Sequence, residues 1–194
     1  MTTEVSDLLD ALFPPGVLRR LDWGCGEHPE PGWLTADLKD SPQIHLTGDI
    51  RDGLAIADAS LDYVVSIHAL PMISYPDLVP VLSELRRTLR PGGVLRLCLP
   101  DLDKNIAAYQ RGDRDHFLVP DSDEDTLPGK LIVQLMWYGW SVTPFTSEWI
   151  ESLLFRAGFR EVTHCEMGVS PSGLEGICDL DNRPDESLFV EAVR

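Results

Sequence analysis

The chain has 194 residues, 43% of them hydrophobic and 25% charged, which is typical of one globular domain with a core of its own. Its formal charge of -16 at pH 7 repels phosphate backbones and argues against general nucleic-acid binding. No apolar run is long enough to cross a bilayer, so we expect no membrane association.

The cysteines and the first ten residues indicate in which cellular compartment the protein is expected. The four cysteines, at positions 25, 98, 165 and 178, form no CxxC pair, so neither a disulfide framework nor a zinc site is expected. Residues 1–10 carry acidic side chains and no basic segment of the kind that opens a secretory signal. We therefore expect a cytoplasmic protein with reduced thiols.

The first half of the chain contains four predicted strands. Residues 18–23 are predicted as a buried strand that ends in a glycine turn, followed by strands at 33–38 and 44–46. Residues 61–67 are rich in β-branched and aromatic side chains, which favours a fourth strand.

A helix and a buried strand follow. Leu78, Leu82, Leu85 and Leu89 recur at helical spacing, with Asp77 as the predicted N-cap and residues 91–93 (Pro-Gly-Gly) as the stop. Residues 94–99 are almost continuously apolar, which is typical of a central parallel strand.

After Pro100 the pattern is looser. We predict a short helix over 102–109, a polar loop over 111–129 and a helix over 130–140. Thr146 is expected to cap a further helix that ends at Gly158, and strands over 160–166 and 187–193 complete the chain. Strands that alternate with helices predict a doubly wound α/β sheet in a single domain, 1–194.

The turn after the first strand is the first place to look for a ligand, because open α/β sheets bind ligands outside the carboxyl ends of their strands. Gly24 and Gly26 suit a close backbone approach. A nicotinamide fingerprint would need a third glycine where Pro29 stands, and its acidic residue would lie further on than Asp37. A nucleoside without phosphates is therefore favoured over a dinucleotide.

Several segments in the same order resemble class I S-adenosylmethionine-dependent methyltransferases. The turn at 21–26 (Leu-Asp-Trp-Gly-Cys-Gly) is similar to their motif I, and residues 36–38 and 48–50 to their acidic positions after strands two and three. Residues 85–93 (Leu-Arg-Arg-Thr-Leu-Arg-Pro-Gly-Gly) are similar to the helix and turn before strand five. Further similar segments lie at 59–65, 157–159 and 187–192.

The resemblance implies a fold and a narrower group. The fold is a mostly parallel, seven-stranded, Rossmann-like sheet with an antiparallel last strand. Pro31-Gly32-Trp33 and the Leu-Pro-Asp-Leu-Asp segment at 99–103 resemble a compact group of methyltransferases of the type 11 kind. Relatives in that group have a Glu-His pair after strand four where this chain has Pro71 and Met72, and the connection from Gly26 to Trp33 is too short for their first helix.

The resemblance also implies a cofactor site for S-adenosylmethionine. Asp37 would accept hydrogen bonds from the ribose hydroxyls, and Asp49 from the adenine amino group with Ile50 against the ring. Asp22 would order the glycine turn or meet the amino-acid end of the cofactor. For Asp37 and Asp49 the alternatives are a solvated strand-end carboxylate and a turn-forming aspartate. The expected cofactor-binding set is Asp22, Gly24, Cys25, Gly26, Asp37, Leu38, Asp49, Ile50 and His68.

Catalytic and acceptor-binding candidates follow from the same placement. His68, just past strand four, is a candidate general base, with a structural histidine as the alternative. Asp101 is a candidate catalytic residue, with helix N-capping as the alternative, and Asp103 is a candidate for acceptor binding. Trp137, Tyr138 and Trp140 are expected to form an apolar wall for the acceptor or to pack in the core, within a lid over 101–146.

Three functions remain open at this stage. The favoured one is S-adenosylmethionine-dependent methyl transfer to an O or N nucleophile of a small molecule. The second is a non-catalytic binding or interaction module on the same fold, and the third is a nicotinamide-dependent oxidoreductase. The clustered Arg86, Arg87, Arg90 and Arg96 indicate either helix-end charges that complement the helix dipole or a local basic pocket.

Overall fold

A computed structural model describes residues 2–27 and 29–194 and shows one seven-stranded sheet flanked by helices. The strand order is β3-β2-β1-β4-β5-β7-β6, and β7 runs antiparallel to both of its neighbours. The predicted fold class, including the antiparallel last strand, is confirmed. The strands are β1 (Arg20–Trp23), β2 (Leu34–Asp37), β3 (Leu46–Thr47), β4 (Leu61–Ile67), β5 (Leu89–Pro100), β6 (Glu161–Cys165) and β7 (Ser187–Val193).

Five α-helices accompany the sheet in the described residues: α1 (Thr2–Leu12), α2 (Leu78–Thr88), α3 (Leu102–Arg111), α4 (Leu127–Met136) and α5 (Ser147–Arg156). Short 3₁₀ helices lie at Ile50–Asp52, Leu70–Met72, Tyr75–Asp77 and Trp137–Gly139. None of these helices has the length and hydropathy needed to span a bilayer.

Local capping explains most helix boundaries. The Thr146 hydroxyl accepts a hydrogen bond from the Trp149 backbone nitrogen, as predicted, and Phe159 N–H bonds to the Leu154 carbonyl across Gly158. Asp77 occupies the N-cap position of α2, as predicted, but its carboxylate accepts from the Ser74 hydroxyl and makes no cap hydrogen bond.

Three predicted boundaries are wrong. The chain enters β5 at Leu89, ahead of the Pro-Gly-Gly turn, because Leu89 already pairs with Leu61 of β4. Helix α4 begins at Leu127, where the Thr126 hydroxyl caps it, and ends at Met136. It stops there because Trp137 and Tyr138 adopt left-handed backbone conformations, with φ of 39° and 56°.

The two faces of the sheet are covered differently. One face packs into the main core, which joins side chains of α1, α2 and α5 to the apolar residues of the strands. The other face carries a small cluster of Trp33, Tyr63, Val65, Val94 and Ile177. The described parts of the connections 24–33 and 38–45 contain no helix, and the segment between β6 and β7 covers this second face.

Candidate functional site

The sheet order reverses between β1 and β4, which opens a crevice at the carboxyl ends of these strands. The turn after β1 lies at this crevice and is held to β2. Gly24 N–H bonds to the Ala36 carbonyl at 2.8 Å, and Gly26 N–H bonds to Asp37 Oδ2 at 2.8 Å. The structure therefore brings the turn and Asp37 together, as the sequence motifs indicate.

Gly24 is required at its position for two physical reasons. Its φ of +76° lies in the left-handed region, and a Cβ there would lie 2.1 Å from Cβ of Ala69. Ala69 follows β4, so the absence of a side chain at Gly24 allows the turns after β1 and β4 to approach each other. Gly26 also has a positive φ, +70°, but faces open space.

The Asp37 carboxylate organises the end of β2 and keeps free acceptor capacity. Its Oδ2 accepts from Gly26 N–H and its Oδ1 from Lys39 N–H at 3.0 Å. A carboxylate has about four acceptor positions, so roughly two remain for hydroxyl groups of a ligand. Leu38, beside it, is 68% exposed and offers an apolar surface.

A cavity of about 410 Å³ opens beside the turn. Asp22, Gly24, Cys25, Glu30 and Ile67 line one part of it, and the four residues 179–182 line the rest. It is within the size range of small-ligand pockets. The turn after β1 and the end of β4 thus share one concave site.

Asp22 is the chemically distinctive group of this cavity. The residue is only 6% exposed, and among the described residues no hydrogen bond or ion pair engages its carboxylate. Burial raises the pKa of Asp22 to about 7, and the negative charges of Asp37 and Glu30 add to the effect. Burial and the charge of Asp22 also raise the pKa of the Cys25 thiol to about 12.

Three members of the expected cofactor-binding set line this cavity, namely Asp22, Gly24 and Cys25. The other six are not among its lining residues: Gly26, Asp37, Leu38, Asp49, Ile50 and His68. The Asp49 carboxylate caps the 3₁₀ helix Ile50–Asp52 and accepts from both the backbone and the side chain of Arg51. These hydrogen bonds hold the pKa of Asp49 below its usual value. Ile50 is buried in the main core. This arrangement favours the turn-forming alternative for Asp49, and adenine contacts by the two residues stay a prediction.

His68 is engaged on both ring nitrogens. Arg183 donates to Nδ1 at 2.8 Å, which leaves the hydrogen of a neutral ring on Nε2, 2.8 Å from the Ser187 hydroxyl. Burial, with a further contribution from the Arg183 charge, lowers the pKa of His68 to about 3. The geometry favours the structural alternative, and a general-base role stays a prediction.

The two aspartates after β5 differ. Asp101 is buried and caps α3, since its Oδ1 accepts from the backbone nitrogens of Asp103 and Lys104. The N-capping interpretation of Asp101 is confirmed, and the cap engages its Oδ1. Asp103 is exposed in the first turn of α3, and its role in acceptor binding stays a prediction.

The aromatic residues after α4 come just before a contact with the turn after β4. The segment that follows them is tied there, because Val142 and Thr143 N–H groups bond to the Pro71 carbonyl. Tyr138 and Trp140 are 53% and 62% exposed, so the core-packing alternative is wrong for these two. Trp137 is half-buried and makes an edge contact with Tyr138.

The clustered arginines do not form a basic pocket. Arg96 is fully buried, Arg87 pairs with Glu84 and Asp58, and Arg90 pairs with Asp62. Arg86 donates to the Gly158 carbonyl at 2.8 Å. Arg86 and Arg87 lie in the last turn of α2, as the dipole interpretation requires.

Sequence reasoning missed Glu30 and residues 179–182 as parts of the cavity. No motif marks the latter, because they reach the site only through tertiary folding of a segment without regular structure. One signal was present in the sequence. Arg96 interrupts the apolar run 94–99, and a charge buried in a central strand requires a partner, which is Asp181.

Comparisons with known proteins identify methyltransferases as similar to this chain. Residues 28–97 match the model of a methyltransferase domain family. A stretch of 49 residues is 43% identical to the probable methyltransferase ltbC of Aspergillus luteorubrus, and this match covers 25% of the present chain and 17% of that protein. The chain thus matches less than a fifth of this curated relative's length.

Solved structures match over the whole sheet. A methyltransferase from Thermotoga maritima has a TM-score of 0.57 at 15% identity, covering 99% of this chain and 88% of that one. An S-adenosylmethionine-dependent methyltransferase from Archaeoglobus fulgidus has a TM-score of 0.57 at 13% identity, covering 100% and 95%. The resemblance to class I methyltransferases is confirmed. At these identities, the structural matches establish the methyltransferase fold.

Two features of this chain shape the cavity within the fold. The turn after β1 leads directly towards β2, and residues 179–182 stand beside the site. Among the described residues, no group of three or more His, Cys, Asp or Glu side chains is arranged to hold a metal ion.

Proposed function

We propose that this chain is an S-adenosylmethionine-dependent methyltransferase that transfers a methyl group to an O or N nucleophile of a small molecule. The observation that carries the proposal is Asp22, a buried carboxyl group without a partner in the described structure, which lines a cavity at the crevice between β1 and β4. A buried carboxylate requires a compensating donor or cation, and a cationic ligand supplies one.

The residues of the site fit S-adenosylmethionine. The cofactor carries a sulfonium and an ammonium group, which suit Asp22 and Glu30. The free acceptor positions of Asp37 suit the ribose hydroxyls, and the exposed Leu38 suits one face of the adenine ring. A nicotinamide dinucleotide fits less well, because the acidic lining repels its pyrophosphate and the described part of 24–33 provides no helix N-terminus for it.

The cofactor, when bound, supplies an activated methyl group on a positively charged sulfur. The chain then needs to position the nucleophile, exclude water and accommodate a proton, and alignment alone accounts for a large share of such rate accelerations. The turn held by Gly24 and Asp37 fixes one side of this geometry. His68 stands at the end of β4 as a neutral ring, fixed by Ser187 and Arg183.

We assign the acceptor side to residues 101–146 of the single domain. The exposed rings of Tyr138 and Trp140 offer flat apolar surfaces next to a segment that is tied to the turn after β4. Their left-handed or glycine-flanked backbone holds the rings outside the core. This surface suits a small molecule with an apolar or aromatic body. The free cysteines of the described chain are consistent with a reducing compartment such as the cytoplasm.

A non-catalytic binding module is the second candidate, and specific contacts favour it. Both nitrogens of His68 are engaged, and the Asp101 carboxylate caps α3. His68 can accept a proton at Nδ1 only if its hydrogen bond from Arg183 is lost, and Asp101 Oδ1 is already engaged in capping α3. This candidate predicts normal cofactor binding without methyl transfer.

Calorimetric titration with S-adenosylmethionine tests the proposed function. We expect binding by the wild-type chain, weaker binding by Asp37→Ala, and no change in the exposed control Asp115→Asn. Transfer of a radiolabelled methyl group to a panel of small phenols, amines and carboxylic acids then separates the enzyme from the binding module. No binding heat at millimolar cofactor in a folded sample would refute both.

A further inference from the structure

The segment between β6 and β7, residues 166–186, is here called the β6–β7 loop. It covers the second face of the sheet through Ile177, and its residues 179–182 form one wall of the cavity beside Gly24. The described part of the connection 24–33 contains no helix, and residues 179–182 of the loop lie beside this connection in the cavity lining.

The loop is held as a fixed wall by a buried arginine. The Arg96 side chain is 0% exposed and donates from Nε to Asp181 Oδ1 at 2.7 Å and from Nη1 to Glu191 Oε1 at 2.7 Å. Its Nη1 also donates to the Val169 carbonyl at 3.2 Å. Tyr63 O–H donates to the Glu175 carbonyl at 2.9 Å. Bidentate, buried contacts of this kind restrict the loop to one position.

The same contacts determine the charge of the cavity. Arg96 compensates Asp181, which leaves Asp22, Glu30 and Asp179 as the other carboxylates of the lining. The side chain of Asp179 is 62% exposed and forms a long ion pair with Arg20, at 3.9 Å, and none of the described Lys or Arg residues lines the cavity. Asp22 adds an independent indication of a ligand, since it is 6% exposed and has no partner in the described residues.

We infer that the β6–β7 loop is part of the cofactor site and that Asp179, acting with Asp22, makes this site favour S-adenosylmethionine over S-adenosylhomocysteine. The inference rests on the proposed function. The two ligands share their nucleoside and amino-acid groups and differ in the methyl group and the positive charge on sulfur. A cavity with a net negative lining therefore distinguishes them by charge.

This discrimination has a consequence for turnover. In methyl transfer, a lone pair of the nucleophile forms the new bond to the methyl carbon, and the proton of the nucleophile leaves to solvent. The electron pair of the broken bond stays on sulfur, which becomes neutral. The acidic wall then holds the sulfur-containing product less strongly than it held the cofactor. The loop thereby favours release of the product over its retention.

The test compares Asp179→Asn with Asp185→Asn, a change of the same type on the same loop but outside the cavity lining. Titration calorimetry measures the affinity of each variant for S-adenosylmethionine and for S-adenosylhomocysteine at low ionic strength. We expect Asp179→Asn to weaken S-adenosylmethionine binding by about threefold to tenfold and to leave S-adenosylhomocysteine nearly unchanged. Asp185→Asn should retain the wild-type ratio of affinities.

The outcomes separate this inference from the proposed function. If wild-type chain binds neither ligand, the proposed function fails. If wild-type chain binds and Asp179→Asn changes neither affinity, or weakens both equally, the charge selection is overturned. Glu30→Gln provides a second variant of an exposed lining residue, for which the same fall in the affinity ratio is expected. Increasing salt should reduce the ratio in the wild type more than in Asp179→Asn.

Discussion

Replacement of Asp22 by asparagine tests the electrostatic description of the cavity. Asparagine keeps the size of the side chain and removes its ionisation. Burial raises the pKa of Asp22 from 3.8 to about 7, so the folded chain binds this proton roughly a thousandfold more strongly than the unfolded chain. A tenfold difference corresponds to about 1.4 kcal/mol, which gives a cost of roughly 4 kcal/mol when the group is ionised.

The pH dependence has a definite sign. Because the folded-state pKa is raised, the contribution of Asp22 to stability is fully present below about pH 4 and is lost as the pH rises through about 7. Asp22→Asn does not lose stability in this way, because asparagine does not ionise. The variant should therefore be about as stable as wild type near pH 4 and more stable by on the order of 2–4 kcal/mol at about pH 8. The gain is smaller than the full ionisation cost where water in the cavity solvates the Asp22 carboxylate of the wild type.

Urea denaturation at a series of pH values measures this difference directly. The free energy of unfolding of Asp22→Asn minus that of wild type should rise between about pH 4 and pH 8. The exposed control Asp115→Asn should give a flat difference. Parallel stability profiles for Asp22→Asn and wild type would refute the assignment of a raised pKa to Asp22. The same variant should bind S-adenosylmethionine more weakly, although it is the more stable protein.

Three further predictions concern the elements around the site. Gly24→Ala should destabilise the chain by about 2–4 kcal/mol in urea denaturation, since its Cβ would lie 2.1 Å from Ala69 and its φ is +76°. Arg96→Met should cost about 3–5 kcal/mol, because it leaves two buried carboxylates without a cation. The His68 ring, with its pKa lowered to about 3, should stay neutral in NMR spectra between about pH 5 and 8.

Controls and opposing outcomes are specific to each prediction. Gly26 has a similar φ but faces open space, so Gly26→Ala should lower the free energy of unfolding by only about 1 kcal/mol. An equal loss of stability at both glycines would contradict the contact with Ala69. An Arg96→Met protein as stable as wild type would show that the loop is not anchored by Arg96. His68 stabilises the fold above about pH 6.5, and this contribution is lost as the pH falls towards 3. A ring that titrates near pH 6.5 would contradict its burial.

The sequence by itself determined the order of elements and one part of the site. An apolar, β-branched segment is enough to predict a strand that is buried on both faces, as in β4. A capping residue such as Thr146 is enough to predict where a helix begins. The turn at Gly24 and Gly26 with Asp37 was also predictable, because these residues act within one local strand-turn-strand unit.

Only the tertiary structure decided what completes the cavity and which polar groups are free. Residues 179–182 are distant in sequence from Gly24, and they reach it because Arg96, buried in the central strand, binds Asp181. Likewise, His68 is held by Ser187 and Arg183 from the far end of the chain. A pKa depends on burial and on neighbouring charges, which the order of residues does not specify. The sequence therefore predicted the scaffold and the glycine turn, and long-range packing set the electrostatics of the site.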